Sequence, residues 1–134
     1  AQGAFPFPVR VYYEDTDTAG VVYYAGYLRF LERGRTEWLR AMGVEQFRLA
    51  QETGLVFAVR SLNIEYLKPA RLDDRLAVLT GLTFLGRAQV ALKQRIERAG
   101  ETLVEASVRI ACLDTKKLKP AALPEEIRTK MGAS

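Results

Sequence analysis

The chain has 134 residues, 49% hydrophobic and 27% charged, a balance that fits one globular domain with a modest core. It contains no histidine and one cysteine, which excludes Ser-His-Asp and Cys-His catalysis, histidine-ligated metals and intramolecular disulfides. The formal net charge of +4 favours anionic partners, but the charges are spread along the chain, so no nucleic-acid partner is expected.

No run approaches the roughly 18 apolar residues of a membrane span. The opening Ala1-Gln2-Gly3-Ala4-Phe5-Pro6 lacks the basic-then-apolar order of a signal peptide, so a cytoplasmic location is expected. Pro8 to Tyr13 reads as a short strand, with Val9, Val11 and Tyr13 alternating with Arg10 and Tyr12. The segment that follows, Tyr12-Tyr-Glu-Asp-Thr-Asp-Thr-Ala-Gly-Val-Val-Tyr-Tyr-Ala-Gly-Tyr27, delivers a carboxylate-rich turn to the start of a helix. A carboxylate supplies a nucleophile or general base, and the unpaired N–H groups and positive end of a helix can hold an oxyanion. Without histidine, any acid–base chemistry here is led by carboxylates. Asp15 and Asp17 can also simply cap backbone amides of the turn. An Asp-x-Asp pair can ligate magnesium, but neither a glycine-rich phosphate loop nor a third acid at an evident spacing accompanies it, and no metal site is expected.

From Tyr24 to Met42 the apolar positions Tyr27, Leu28, Leu31, Trp38, Leu39 and Met42 recur at helical spacing, opposite Arg29, Glu32, Arg33, Glu37 and Arg40. Gly34 lies on the apolar stripe, where it costs about 1 kcal/mol of helix propensity relative to Ala; a close neighbour would justify it. Gly43 is a natural stop, and Val44 to Glu52 adds a second helical piece before Gly54. The period then switches from 3.6 to 2. Leu62, Ile64 and Tyr66 alternate with polar residues up to Pro69. Leu76 to Leu85 is apolar on both faces, as a central strand covered on each side would be. Ala88, Val90, Leu92 and Ile96 mark another strand, and Val104 to Cys112 follows after Gly100, completing an antiparallel meander. Cys112 falls on the apolar phase of that strand and reads as a small core residue. Lys116, Lys117 and Lys119 form the densest basic stretch and read as a solvated turn, with contact to a phosphate as the alternative. Pro124-Glu-Glu-Ile127 opens a short C-terminal helix. The order is one strand, a long helix, then four strands, an α+β layout in which the sheet wraps one helix.

The run Tyr13-Glu-Asp-Thr-Asp-Thr-Ala-Gly-Val-Val-Tyr-Tyr-Ala-Gly-Tyr-Leu-Arg-Phe-Leu-Glu-Arg-Gly-Arg-Thr-Glu-Trp38 resembles the signature of the hotdog-fold acyl-CoA thioesterases, nearest to the 4-hydroxybenzoyl-CoA and Tol-Pal-associated branches. The resemblance implies a single hotdog domain over residues 1–134, with an antiparallel sheet around one long central helix, acting as an acyl-CoA thioester hydrolase. Carried over by position, it makes Asp17 the catalytic carboxylate and sets the Tyr24 backbone N–H against the thioester oxygen. Gly20 supplies the tight reversal beside the acyl group. Tyr27 belongs to an aromatic set read first as core packing, a few members of which are candidates to line an acyl tunnel. Coenzyme A would be the carrier of the substrate, with no resident cofactor, and its phosphates call for basic groups, for which Arg87, Lys68 and Arg60 at strand ends are candidates. The resemblance also implies a homodimer, alone or paired into a tetramer, with active sites shared across it. Two departures bear on the acyl group: Tyr24 stands where the Tol-Pal branch has His, and Glu32 where the hydroxybenzoyl branch has Asp. A hotdog hydratase would need a histidine. A non-catalytic acyl-CoA- or partner-binding module is the alternative reading.

Overall fold

The computed structural model describes residues 4–133; Ala1, Gln2 and Gly3, part of the segment read for a signal peptide, and Ser134 lie outside the described residues. Strand β1 (Phe5–Arg10) is followed by helices α1 (Tyr24–Ala41) and α2 (Gln46–Thr53), strands β2 (Leu55–Tyr66), β3 (Arg75–Leu85), β4 (Gln89–Arg98), β5 (Glu101–Asp114) and the short β6 (Lys119–Pro120), then helix α3 (Glu125–Ala133). The strands form one antiparallel sheet in the order β1-β3-β4-β5-β2, with β6 appended to β5. The expected meander is therefore β3-β4-β5, and β2 crosses to the far edge.

Helix α1 buries Tyr27, Phe30, Leu31, Gly34, Trp38 and Leu39, one stripe at helical spacing. Its first half packs with Val78, Ile96, Val104 and Ala106 of the sheet, and its second half with Val90, Leu92, Val108 and Cys112, joined by Ile127 and Met131 of α3. Gly34 is the point of closest approach. A Cβ there would lie 2.5 Å from Val78 Cγ1 and 3.3 Å from Gln94 Nε2. The missing side chain lets helix and sheet touch. Beside it, the buried Gln94 side chain donates to the Leu31 carbonyl (3.0 Å) and to Thr80 Oγ1 (2.9 Å) and accepts from Arg35 (3.1 Å). An inward glutamine with all these partners locks α1 to β3 and β4 at modest cost.

Three expectations shift. The first strand spans Phe5–Arg10 rather than Pro8–Tyr13, because Pro6 and Pro8 are tolerated on an edge strand and the Asp15 carboxylate accepts the Tyr12 N–H (2.8 Å), winding Tyr13–Asp15 into a 3₁₀ turn. Tyr12 and Tyr13 are thereby exposed. On β3, Leu76, Val78 and Thr80 are buried under α1 while Ala77 and Leu79 on the other face are only half-buried, so that strand is fully covered on one face alone. Leu28, read on the apolar stripe, is exposed. Among the described residues no helix is long and apolar enough to cross a membrane.

Candidate active site

The acidic turn is closed by its own backbone. Asp17 N–H donates to the Val21 carbonyl (2.9 Å) and Gly20 N–H to the Asp17 carbonyl (3.0 Å), while Gly20 sits at φ +77°, a left-handed conformation that glycine adopts without strain. Oδ1 of Asp17 accepts the N–H groups of Ala19 (2.9 Å) and Val21 (3.4 Å). The carboxylate is thus oriented through one oxygen, and Oδ2 has no hydrogen-bond partner among the described residues. Capping through Oδ1 leaves the second oxygen of the same carboxylate unengaged among the described residues. Asp15 differs: it is buried, and its carboxylate is spent on the Tyr12 N–H.

The turn is fastened to the loop between β2 and β3, where Val22 N–H donates to Ala70 O (2.9 Å) and Leu72 N–H to Gly20 O (3.2 Å). Tyr27 completes the clamp by accepting the Ala70 N–H at its hydroxyl (2.9 Å). Burial pushes its phenol above the usual tyrosine range despite that hydrogen bond, so Tyr27 is a neutral post. Helix α1 starts at Tyr24 with no capping side chain and no acid in its first turn. The N–H groups of Tyr24 and Ala25 find no acceptor among the described residues, leaving the positive end of the helix open.

Between this helix end and the end of β2 lies a cavity of about 470 Å³ whose walls include Asp17, Tyr24, Tyr27, Tyr66 and Lys68. Tyr66 joins these walls without a motif to mark it in the sequence. Its ring lies 4.6 Å from that of Tyr24 and 5.5 Å from that of Tyr27, and its hydroxyl is 3.5 Å from the Tyr24 carbonyl. The only sequence signal was its place as the last inward residue of the strand before Lys68-Pro69. Lys68 stands at the rim, ion-paired with Glu101, which also meets Arg98. Arg60 and Arg87 do not line this cavity. Arg60 is exposed at the register break between Val59 and Ser61 of β2. Arg87 is exposed in the β3–β4 connection, where its carbonyl accepts the Leu123 N–H (2.8 Å). Glu32 is exposed and accepts the Thr36 hydroxyl. Cys112 is fully buried, its thiol pushed up by burial, in keeping with a core role. Among the described residues no group of His, Cys, Asp or Glu side chains could hold a metal ion.

Residues 11–131 match the family model of the thioesterase-like superfamily. The chain belongs to this superfamily. This thioesterase-like chain is 48% identical over 124 residues to the acyl-CoA thioesterase YbgC of Haemophilus influenzae, an alignment covering 92% of the chain and 91% of that relative. A probable thioesterase from Bartonella henselae superposes with a TM-score of 0.85 at 40% identity, covering 90% of this chain and 99% of the other. A 1,4-dihydroxy-2-naphthoyl-CoA thioesterase from Synechocystis gives a TM-score of 0.89 at 25% identity, covering 97% and 96%. The architecture is the hotdog fold, and the expectation of a thioester-hydrolysing enzyme agrees with how these relatives are named.

Proposed function

We propose that the protein hydrolyses acyl-CoA thioesters to a free carboxylic acid and coenzyme A, with Asp17 as the reacting carboxylate and the start of α1 at Tyr24 as the oxyanion site. The observation that carries this reading is one wall holding both parts. An Asp17 carboxylate fixed through Oδ1 shares the cavity with the open N-terminus of α1. Oδ2 is free either to attack the thioester carbonyl, giving an anhydride that water opens, or to take a proton from water as it attacks. In both routes negative charge builds on the carbonyl oxygen, where the Tyr24 N–H and the helix end oppose it, and the thiolate leaves to be protonated as coenzyme A. Gly20 lets the chain reverse tightly with no side chain at its own position, the tyrosine rings of Tyr24, Tyr27 and Tyr66 flank the acyl group, and Lys68 meets a phosphate at the rim.

The reading includes a homodimer. β2 is a 12-residue edge strand, and its inward Val59 and Leu62 are 49% and 36% exposed; a second copy would cover both the unpaired edge and these apolar groups. Arg60, carried on that strand, would then reach the mouth of a neighbouring cavity. Arg87 keeps the phosphate role only if another copy brings it to a cavity. We read residues 1–134 as one domain working in the cytoplasm on a soluble polyanionic thioester. Free thiol released from a panel of acyl-CoAs, followed with a thiol dye, tests the activity. A binding module would take up the same ligands and release none.

A further inference from the structure

The loop between β2 and β3 gives Leu67, Lys68 and Pro69 to the wall of the Asp17 cavity. Through Ala70 and Leu72 it also holds Val22, Tyr27 and Gly20. Where this loop stands therefore decides where the Asp17 turn and the start of α1 stand. At its first end the N–H groups of Leu67 and Lys68 donate to the Leu103 carbonyl of β5 (2.8 and 3.1 Å). Pro69, the next residue, has no N–H, so its carbonyl is the only hydrogen-bonding group of its backbone. That carbonyl accepts from Nη1 of Arg98 (3.3 Å). The same nitrogen donates to Oδ2 of Asp74 at the far end of the loop (2.7 Å), and this carboxylate oxygen also accepts the Arg71 N–H (2.8 Å). Nη2 of Arg98 donates to Glu101 across the β4–β5 hairpin (3.3 Å), and Glu101 in turn meets Lys68. One guanidinium thus spans the loop from Lys68, by way of Glu101, to Asp74. Arg98 does not line the cavity, and its side chain is 30% exposed. Ion pairs in such partly wet surroundings add little stability. The planar fork instead fixes direction and distance, which a lysine ammonium does not.

We propose that Arg98 is a positioning residue of the site. By holding the Pro69 carbonyl and Asp74 it places the loop that carries Ala70, and through Ala70 it sets the Asp17 turn against the start of α1. It touches no substrate. Given Asp17 and the helix end at Tyr24 as the reacting parts, on which this inference rests, a shift of about 1 Å between them weakens the transition state more than it weakens binding. Loss of Arg98 should then appear in kcat and not in KM.

Two measurements on the whole protein test this, and the first needs no hydrolysis. Residue-resolved amide hydrogen exchange should show Arg98→Gln speeding the Ala70 and Val22 amides about tenfold, although neither bonds to Arg98. A residue that supports only its own ion pairs would speed the Arg71 amide alone. The second is thiol release from acyl-CoA, at a temperature where every variant is folded. Arg98→Gln should lower kcat about tenfold with KM within about twofold of the parent. Arg98→Lys, which keeps the charge and loses the fork, should recover the melting temperature and leave kcat low. Arg95→Gln, which breaks another ion pair of β4, with Glu97, should match the parent in kcat and in Ala70 and Val22 exchange. Unchanged exchange at Ala70 and Val22 in Arg98→Gln would overturn the proposal. So would an unchanged kcat, a fall in kcat shared by Arg95→Gln, or full recovery of kcat in Arg98→Lys. If the parent releases no thiol from any acyl-CoA, the assigned reaction fails, and the exchange data alone decide whether Arg98 places the loop.

Discussion

Asp17 and Asp15 sit two residues apart in different surroundings: Asp17 lines the cavity with one carboxylate oxygen unengaged among the described residues, and Asp15 is buried on a backbone amide. Asp17→Asn preserves shape and the acceptor for Ala19 and Val21, so the variant should fold normally and lose about 10²- to 10⁴-fold in turnover. Asp15→Asn should be much milder, because the amide oxygen still accepts the Tyr12 N–H. Thiol release and melting curves on both variants check the pair. Tyr66, its ring tilted against that of Tyr24, should set which acyl groups fit. Tyr66→Ala is expected to shift kcat/KM towards bulkier acyl groups by about tenfold or more, read from an acyl-length series; an unchanged profile would put the acyl chain elsewhere. The common place of Asp17 and Tyr24 on the cavity wall was legible because one continuous run of chain carries both, and a motif is visible wherever the chain itself supplies the geometry; Gly20 of the same run turns the chain but does not line the cavity. Tyr66 was not, since strand register brings it beside Tyr24 across 42 positions. Gln94 was hidden for the same reason: a polar residue in an alternating strand gives no sign that it turns inward until Thr80 and Leu31 are beside it.

The helix–sheet contact at Gly34 makes a sharp test of how the elements pack. Alanine would normally gain about 1 kcal/mol of helix propensity. Here its Cβ would press on Val78, at 2.5 Å from Cγ1 and 3.2 Å from Cβ, and a β-branched neighbour has little freedom to turn away. Gly34→Ala should therefore destabilise the fold by about 1–3 kcal/mol net, measured by denaturant midpoint; a stabilised variant would mean that α1 stands off the sheet. A second test concerns the junction of the β4–β5 hairpin with the loop after β2. Burial alone would raise the Asp74 carboxyl, but the Arg71 N–H and the Arg98 guanidinium outweigh it and hold it low. Glu101 is held low mainly by Lys68 and then Arg98. Both groups have folded-state values depressed below their unfolded ones, so their stabilisation is present above roughly pH 4 and is lost as pH falls through the folded values. The melting temperature should hold from pH 7 to about 4.5 and then drop, and Arg98→Gln should shrink that drop. The β4 and β5 alternation was readable because each strand has one buried and one wet face. β1 was misplaced because its prolines look like breakers and its edge position is a property of the sheet.

The outer edge of the long strand β2 has no strand partner among the described residues, and Val59 and Leu62 are exposed on its inner face, surface that no described element covers. Sedimentation at micromolar concentration should show a dimer or a higher even assembly, and a stable monomer would contradict the shared-site reading. The resemblance implied the dimer, whereas the alternation of Leu62, Ile64 and Tyr66 reads the same in a covered strand and did not mark this edge. The fold, the turn and the open helix end converge on a single chemical claim, that this molecule cleaves acyl-CoA thioesters with the Asp17 carboxylate. Buried Cys112 is the only protein thiol, so colour from a thiol dye reports coenzyme A in the native enzyme. Assayed on a panel of aliphatic and aromatic acyl-CoAs, the parent protein should release thiol from at least one substrate with turnover, and folded Asp17→Asn should release it about 10²-fold or more slowly. Equal rates in the two proteins, or ligand binding without thiol release by the parent, would contradict the claim.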